Sequence, residues 1–376
     1  MNTPLRAVVV GLRMGEGHVR ALTALPEFYH LAAVCDLDDA RAREIAERYQ
    51  APAAYADYST LLEREHPEVV VIATPNNSHA AYTQQAVRAG ARAICCEKPM
   101  AVHPKDARDM VRVCAEHQVP LIINHQRRVG ADLLAARQAL DEGAIGQVRT
   151  IRGICGGDLL SDGTHLLDSL LWLAGDIEAK WVFGQIHREV PPEEIDAERG
   201  SGFTRRAGYR FGHPVENGGM AIVELHNGVR LELLTGDLIE TGRFYQDYEM
   251  IGTLGRLWRS DDGSSPNLFI ADRQGGDWDA RMNEQWHFKP EPNAEGAAGL
   301  WRPVKTVPSY DAITASYRRF AETIHDGTPH PMSGANALRG FEILMAIYES
   351  ARLRAKVTLP IPQERFPLEL MLEEQD

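Results

Sequence analysis

Five short apolar runs, each separated from the next by a helical pattern, occupy the first ~125 residues. The runs are residues 5–10, 31–35, 69–73, 93–96 and 120–123, with helical periodicity over 17–25, 38–49, 79–89 and 104–117. Alternating strand and helix patterns of this length are the signature of βαβ units and a doubly wound parallel sheet. Two of the runs end in polar clusters. Residues 69–73 lead into Thr74-Pro75-Asn76-Asn77-Ser78-His79, and residues 93–96 into Glu97-Lys98-Pro99. Side chains at the carboxyl ends of adjacent parallel strands converge on the ligand crevice, so this pair is a candidate active-site rim. Lys98, followed by proline, is poorly placed for a helix and well placed for a site.

The pattern changes after Asn124. A helix over 131–142 stops at Gly143, a strand covers 148–154, and a helix over 162–174 stops at Gly175. From 179 to 270 the pattern is mostly β, alternating clearly in Val229-Arg230-Leu231-Glu232-Leu233, and helices return at 312–325 and 335–354. Strands between helices indicate an α+β second domain on one open sheet. The fold class is therefore α/β plus α+β. Residues 1–124 form a nucleotide-binding domain and 125–376 an α+β domain, whose last helices could belong to either. Two stretches read as long loops, 189–202 and 261–308. The second holds Trp278, Trp286 and Trp301, which are expected to pack on their own domain.

With 376 residues the chain can build two cores, and a net charge of −13 without any basic run argues against a nucleic-acid partner. No apolar stretch approaches the ~20 residues that span a bilayer, and residues 1–6 do not resemble a signal peptide. The five cysteines (Cys35, Cys95, Cys96, Cys114, Cys155) form no C-x-x-C pair or zinc spacing. Free thiols in a reducing cytoplasm, and no metal, are expected.

The first strand runs into Gly11-Leu12-Arg13-Met14-Gly15-Glu16-Gly17. Glycines here let the backbone approach a pyrophosphate at a helix amino end. Arg13 stands where the second glycine of G-x-G-x-x-G belongs, either reaching a phosphate or crowding the loop. The second strand ends at Asp36, 25 residues beyond Gly11. An acid there can accept hydrogen bonds from ribose hydroxyls and, with Asp38 and Asp39, repels a 2′-phosphate, so NAD is favoured over NADP. The alternative is that Asp36 or Asp38 merely caps the next helix.

Together these residues resemble the Gfo/Idh/MocA family of glucose–fructose oxidoreductase and inositol dehydrogenase-like enzymes. The likeness rests on the glycine turn, Cys35-Asp36, Ala73-Thr74-Pro75-Asn76 with His79, Glu97-Lys98-Pro99, Gln126-Arg127-Arg128, and Gly156-Gly157-Asp158 leading to Gly163-Thr164-His165 and Asp168. The resemblance implies a Rossmann domain followed by a large, mostly antiparallel open sheet, often used for oligomer contacts. It implies a nicotinamide cofactor held by Gly11, Arg13, Met14, Gly15, Asp36, Thr74, Pro75, Asn76, His79, Glu97 and Lys98. It further implies a sugar or cyclitol substrate and a homo-oligomer, dimer or tetramer. Lys98 would lie beside the nicotinamide, with a Lys98–Pro99 bond that is a candidate for cis, and His165 would exchange the proton. The family often carries an acid four residues before this histidine. Here that position is Ser161, and the nearest acid is Asp162.

Oxidising a secondary alcohol requires a hydride acceptor, a base for the hydroxyl proton and a positive group for the alkoxide. His165 suits the base and Lys98 the positive group. Asp162 is a candidate cap or catalytic acid, Asp168 lies one turn on and could orient the His165 ring, and Gln126 and Arg128 could hold substrate hydroxyls. The expected activity is an NAD-dependent dehydrogenase acting on a ring hydroxyl. The alternatives are an NAD-dependent glycosidase using transient oxidation and a non-catalytic nucleotide-binding regulator.

Overall fold

The computed structural model describes residues 3–190, 208–238, 245–260, 266–272, 301–306 and 311–374. Strands β1 (Leu5–Val10), β2 (Tyr29–Cys35), β3 (Ala53–Tyr55), β4 (Val69–Ile72), β5 (Ala93–Cys96) and β6 (Leu121–Ile123) form one parallel sheet in the order β3-β2-β1-β4-β5-β6. The order reverses between β1 and β4, which places a ligand crevice outside their carboxyl ends. Helices α1 (Gly15–Thr23), α2 (Asp39–Tyr49), α3 (Tyr58–Glu65), α4 (His79–Arg88) and α5 (Pro104–Glu116) cover the sheet. Val8, Val9, Val70, Val71 and Ile94 are fully buried, as strands covered on both faces require.

β3 and α3 were not expected from the sequence. β3 is a half-buried edge strand of three residues, too short to display a period. The signal for α3 was present, since Asp57 caps it by accepting the Thr60 N–H at 2.7 Å. α1 begins two residues earlier than expected. A Cβ on Gly15 would lie 3.1 Å from Val9 and 3.4 Å from Ala73, so this glycine lets the helix settle against the sheet.

The second half contributes β7 (Val148–Cys155), β8 (Ala179–His187), β9 (Tyr209–Arg210), β10 (His213–Pro214), β11 (Gly218–Leu225), β12 (Arg230–Thr235), β13 (Gln246–Gly252), β14 (Gly255–Arg259), β15 (Leu268–Asp272), β16 (Arg302–Pro303) and β17 (Val357–Thr358). A sheet of nine runs β16-β15-β14-β13-β7-β12-β11-β8-β17. Its pairings are antiparallel except β7 with β12. β9 and β10 form a separate hairpin.

Helices α6 (Ala131–Asp141), α7 (Gly163–Ala174), α8 (Ala312–Asp326), α9 (Gly334–Leu353) and α10 (Pro367–Glu373) complete the described elements. α7 lies against β7, where a Cβ on Gly153 would be 2.5 Å from Leu166. α9 lies against β8 through Gly184 and Ile347. The other face of this sheet leaves Phe183, Met220 and Ile222 exposed at 46, 50 and 43%. α8 returns to the first sheet, where Tyr317 and Phe320 join the core around Leu22 and the Tyr29 hydroxyl donates to the Tyr317 carbonyl at 2.7 Å.

Trp301 packs with Trp258 and Phe269 on its own sheet. Trp278 and Trp286, like most of both expected loops, lie outside the described residues.

Gly11 has φ +83°, and a Cβ there would sit 2.4 Å from the Ala73 carbonyl oxygen. Gly11→Ala should therefore cost about 2 kcal/mol or more in chemical denaturation. A loss within about 0.5 kcal/mol would contradict this account of the turn.

Candidate active site

The rim between β4 and β5 is fastened from beneath. His79 is fully buried and bridges two carbonyls, those of Pro99 and Thr74, each 2.8 Å from a ring nitrogen. Burial draws its pKa down. The Thr74 hydroxyl donates to Ser78 Oγ at 2.6 Å, and Ser78 to the Pro75 carbonyl at 2.7 Å. Asn76 Nδ2 donates to His213 Nε2 at 3.0 Å, which fastens this loop to the β9–β10 hairpin of the second half.

Glu97 is buried and accepts from His18 Nε2 and Asn124 Nδ2, both at 2.7 Å. Burial raises the pKa of this carboxyl, but His18, Lys98 and Asn124 outweigh it and hold it down to about 2. Asn76, His79 and Glu97 thus form the floor beneath the rim. The Lys98–Pro99 bond is cis.

Lys98 reaches across to the second half. Its ammonium donates to the Ser161 carbonyl at 2.8 Å. Ser161 lies in the loop before α7, and that loop is itself held. Asp158 accepts the Ser161 N–H at 2.7 Å, and Glu216 accepts the Leu159 N–H at 2.6 Å and the Tyr348 hydroxyl at 2.7 Å. Glu216 is buried beside Asp158, and desolvation first, then that neighbouring charge, raises its pKa to about 7.

His165 stands one turn into α7 and is buried. Burial, then the charges of Lys98 and Arg127, push its pKa well below 6.5, so the ring is a neutral imidazole at physiological pH. Among the described residues its Nδ1 has no hydrogen-bond partner.

Two expectations about the acids around it are corrected. Asp162 occupies the N-cap position without capping through its side chain. Its carboxylate instead accepts from Arg210 Nη1 at 2.5 Å and from the Tyr245 hydroxyl at 3.1 Å. Asp168 does not orient His165. It binds the Arg128 guanidinium through two bonds, from Nε at 2.7 Å and Nη2 at 2.8 Å.

Arg128 is correspondingly withdrawn from any substrate. It is fully buried and also donates to Asp176 at 2.8 Å and to the Pro331 carbonyl at 3.1 Å. Gln126 is half-buried with an unpartnered Oε1. Sequence reasoning missed Arg210, Tyr245 and His125. Arg210 and Tyr245 come from segments without a motif, His125 stands just ahead of Gln126-Arg127-Arg128 without being part of it, and only the tertiary fold brings the three to α7.

At the nucleotide end, Asp36 Oδ2 accepts the Leu12 N–H at 2.7 Å and Oδ1 accepts the Asp38 N–H at 3.0 Å. Asp38, not Asp36, caps α2 by accepting the Arg41 N–H. Arg13 and Met14 project outward from the turn. Among the described residues no side chain caps α1, and with the Gly17 N–H turned back to the Met14 carbonyl at 3.2 Å the Gly15 and Glu16 amides are the ones at this helix start that can meet an anion. An uncapped helix at the switch point and a carboxylate at the end of β2 are together the donor and acceptor set a dinucleotide needs. The described residues of this turn therefore fit a nicotinamide dinucleotide.

Residues 5–125 match the family model for the Gfo/Idh/MocA oxidoreductase family, NAD-binding Rossmann fold, and residues 148–359 match its C-terminal alpha/beta domain. The chain is 26% identical over 254 residues to D-glucoside 3-dehydrogenase of Escherichia coli K12, covering 62% of this chain and 70% of that protein. It is 30% identical over 152 residues to inositol 2-dehydrogenase of Salmonella typhimurium, an alignment spanning 40% of this chain and 45% of that enzyme. The crystal structure of aldose–aldose oxidoreductase from Caulobacter crescentus, complexed with glycerol, shares the fold. It superposes with a TM-score of 0.74 at 20% identity, over 95% of this chain and all of that one.

Arg128→Ala would leave the buried Asp168 and the half-buried Asp176 without their cation. Thermal or chemical denaturation should show a loss of about 3–5 kcal/mol, as for one broken partner of a buried pair. Unchanged stability with a raised substrate KM would return Arg128 to the substrate site.

Proposed function

The chain belongs to the Gfo/Idh/MocA oxidoreductase family, and on that footing we propose that it is an NAD-dependent dehydrogenase acting on a ring hydroxyl of a sugar, glycoside or cyclitol. What supports the reading is an ammonium from the end of β5 fixed on the Ser161 carbonyl, four residues ahead of a buried imidazole on α7 whose basicity burial and then the Lys98 charge draw down. NAD, when bound, supplies the hydride acceptor. His165 takes the hydroxyl proton at Nε2, the ring nitrogen left open when Nδ1 is buried. Lys98, anchored on Ser161, faces the developing alkoxide with its remaining N–H groups. Gln126 and Asp162 stand ready for neighbouring hydroxyls, Asp162 held in place by Arg210 and Tyr245.

The names of the relatives support a polyhydroxylated substrate. Asp36 and Asp38 at the ribose end support NAD over NADP. The exposed apolar face around Phe183, Met220 and Ile222 supports a homo-oligomer joined through the large sheet. The five buried free thiols support a reducing cytoplasmic location. Residues 1–124 would then serve the cofactor, and 125–376 the substrate and the oligomer. No observation favours the glycosidase or regulator alternatives.

A panel of sugars, glycosides and cyclitols with NAD should yield free NADH for at least one member. Release of aglycone without NADH, or no response with any member, would contradict the assignment. On the active substrate, Lys98→Ala and His165→Ala should each lower turnover by about two orders of magnitude. Because the base must be unprotonated and its pKa lies well below 6.5, kcat/KM should hold level through pH 6.5 and fall only below it. A midpoint at or above 6.5 would contradict the neutral-imidazole assignment. Asp36→Ala should weaken NAD binding and narrow its advantage over NADP, and an unchanged ratio would exclude the ribose role.

A further inference from the structure

The two acids nearest His165 in sequence both face elsewhere, Asp162 toward Arg210 and Tyr245, Asp168 toward Arg128. Among the described residues, no carboxylate is therefore bonded to the base in the way that commonly fixes an imidazole's orientation. The ring that meets it is that of His125, edge-on, with centroids 5.5 Å apart and planes at 80°. His125 is buried, just beyond β6, and belongs to no motif of the sequence.

His125 is anchored at one nitrogen by the residue before His165 on α7, and its other nitrogen faces a carboxylate of the same helix. Nε2 lies 3.1 Å from Thr164 Oγ1, and Nδ1 lies 3.5 Å from Asp168 Oδ1. The Asp168 contact lacks hydrogen-bond geometry and acts through charge alone, so the Thr164 hydroxyl is the hydrogen bond that holds the ring. The charged and titratable groups facing His125 are Asp168 and His165 on α7, Arg128 beyond β6, and Lys98 and Glu97 at the end of β5. Burial comes first among the causes that keep its own pKa low, so it presents a neutral wall.

We propose that His125 is the positioning residue of the proton-accepting His165: with no hydrogen bond on its Nδ1 among the described residues, the His165 ring takes its orientation from an imidazole wall held by Thr164. This rests on the reading of His165 as the base. An imidazole free to rotate about its last torsion spends less time with Nε2 toward the hydroxyl, which lowers kcat without touching the dinucleotide.

The test compares His125→Ala, His125→Phe and His165→Ala in the full-length protein, on a substrate found active in the NADH panel. His125→Ala should lower kcat about tenfold or more, with the KM for NAD and the NAD-induced rise in Tm unchanged. Its acid limb should move up toward 6.5, because the opened space admits water beside His165. His125→Phe keeps the ring wall and should recover most of kcat, and it carries the test if the alanine variant fails to fold. Wild-type kcat and an unmoved acid limb in both variants would overturn the proposal. So would a kcat loss that tracks a lost NAD-induced Tm rise without a shift of the limb, which marks a general structural role. Full turnover in His165→Ala would instead overturn the base assignment itself.

Discussion

The hydrogen bond from the Lys98 ammonium to the Ser161 carbonyl joins the two halves of the chain at the point where chemistry is expected. One end projects from the parallel sheet and the other from the loop that launches α7. A lysine on a flexible four-carbon stem has many rotamers, and a single long-range acceptor selects among them. The acceptor is fixed in turn. Asp158 and Glu216 each hold a backbone amide of the 158–161 loop, and Glu216 is tied to α9 through Tyr348. Glu97 stands behind the lysine, charged and fully hydrogen-bonded. The position of one ammonium thus depends on residues at the end of β5, on α1, in the link between β10 and β11, and on α9.

Charge is distributed to keep that ammonium effective. Around the crevice, Arg210 is flanked by Asp158 and Asp162, and Arg128 by Asp168 and Asp176. Buried pairs of this kind recover in attraction roughly what they lose in desolvation, so they are weak sources of net stability. Their effect is positional. By binding the carboxylates on either side of His165, the two arginines leave Lys98, Arg127 and then His125 as the groups that act on its ring. The imidazole stays neutral and able to accept a proton.

The fold was largely legible in the chain itself. Parallel strands covered on both sides must be apolar where they are covered, and residues 7–10, 69–73 and 93–96 carry that mark. The end of α7 was visible because Gly175 takes the left-handed conformation at φ +94°. β3 escaped notice because three half-buried residues show no period. Lys98 and His165 were readable only through their motifs. A lone histidine in the Leu-rich stretch His165–Trp172 looks from sequence like a core residue, and burial alone does not contradict that. The carboxylates were misjudged for a common reason. Spacing along a helix says which residues share a face, but not which arginine from another segment will claim them. Arg128 and Arg210 did so from 40 and 48 residues away.

The account turns on His165 being an uncharged imidazole close to the Lys98 ammonium. NMR titration of the histidine ring carbons, with the His165 signal identified by its loss in His165→Ala, tests that state directly. The account predicts a ring that remains neutral well below pH 6.5, with its midpoint rising when Lys98 is replaced by alanine. A midpoint at 6.5 or above, indifferent to Lys98, would contradict it.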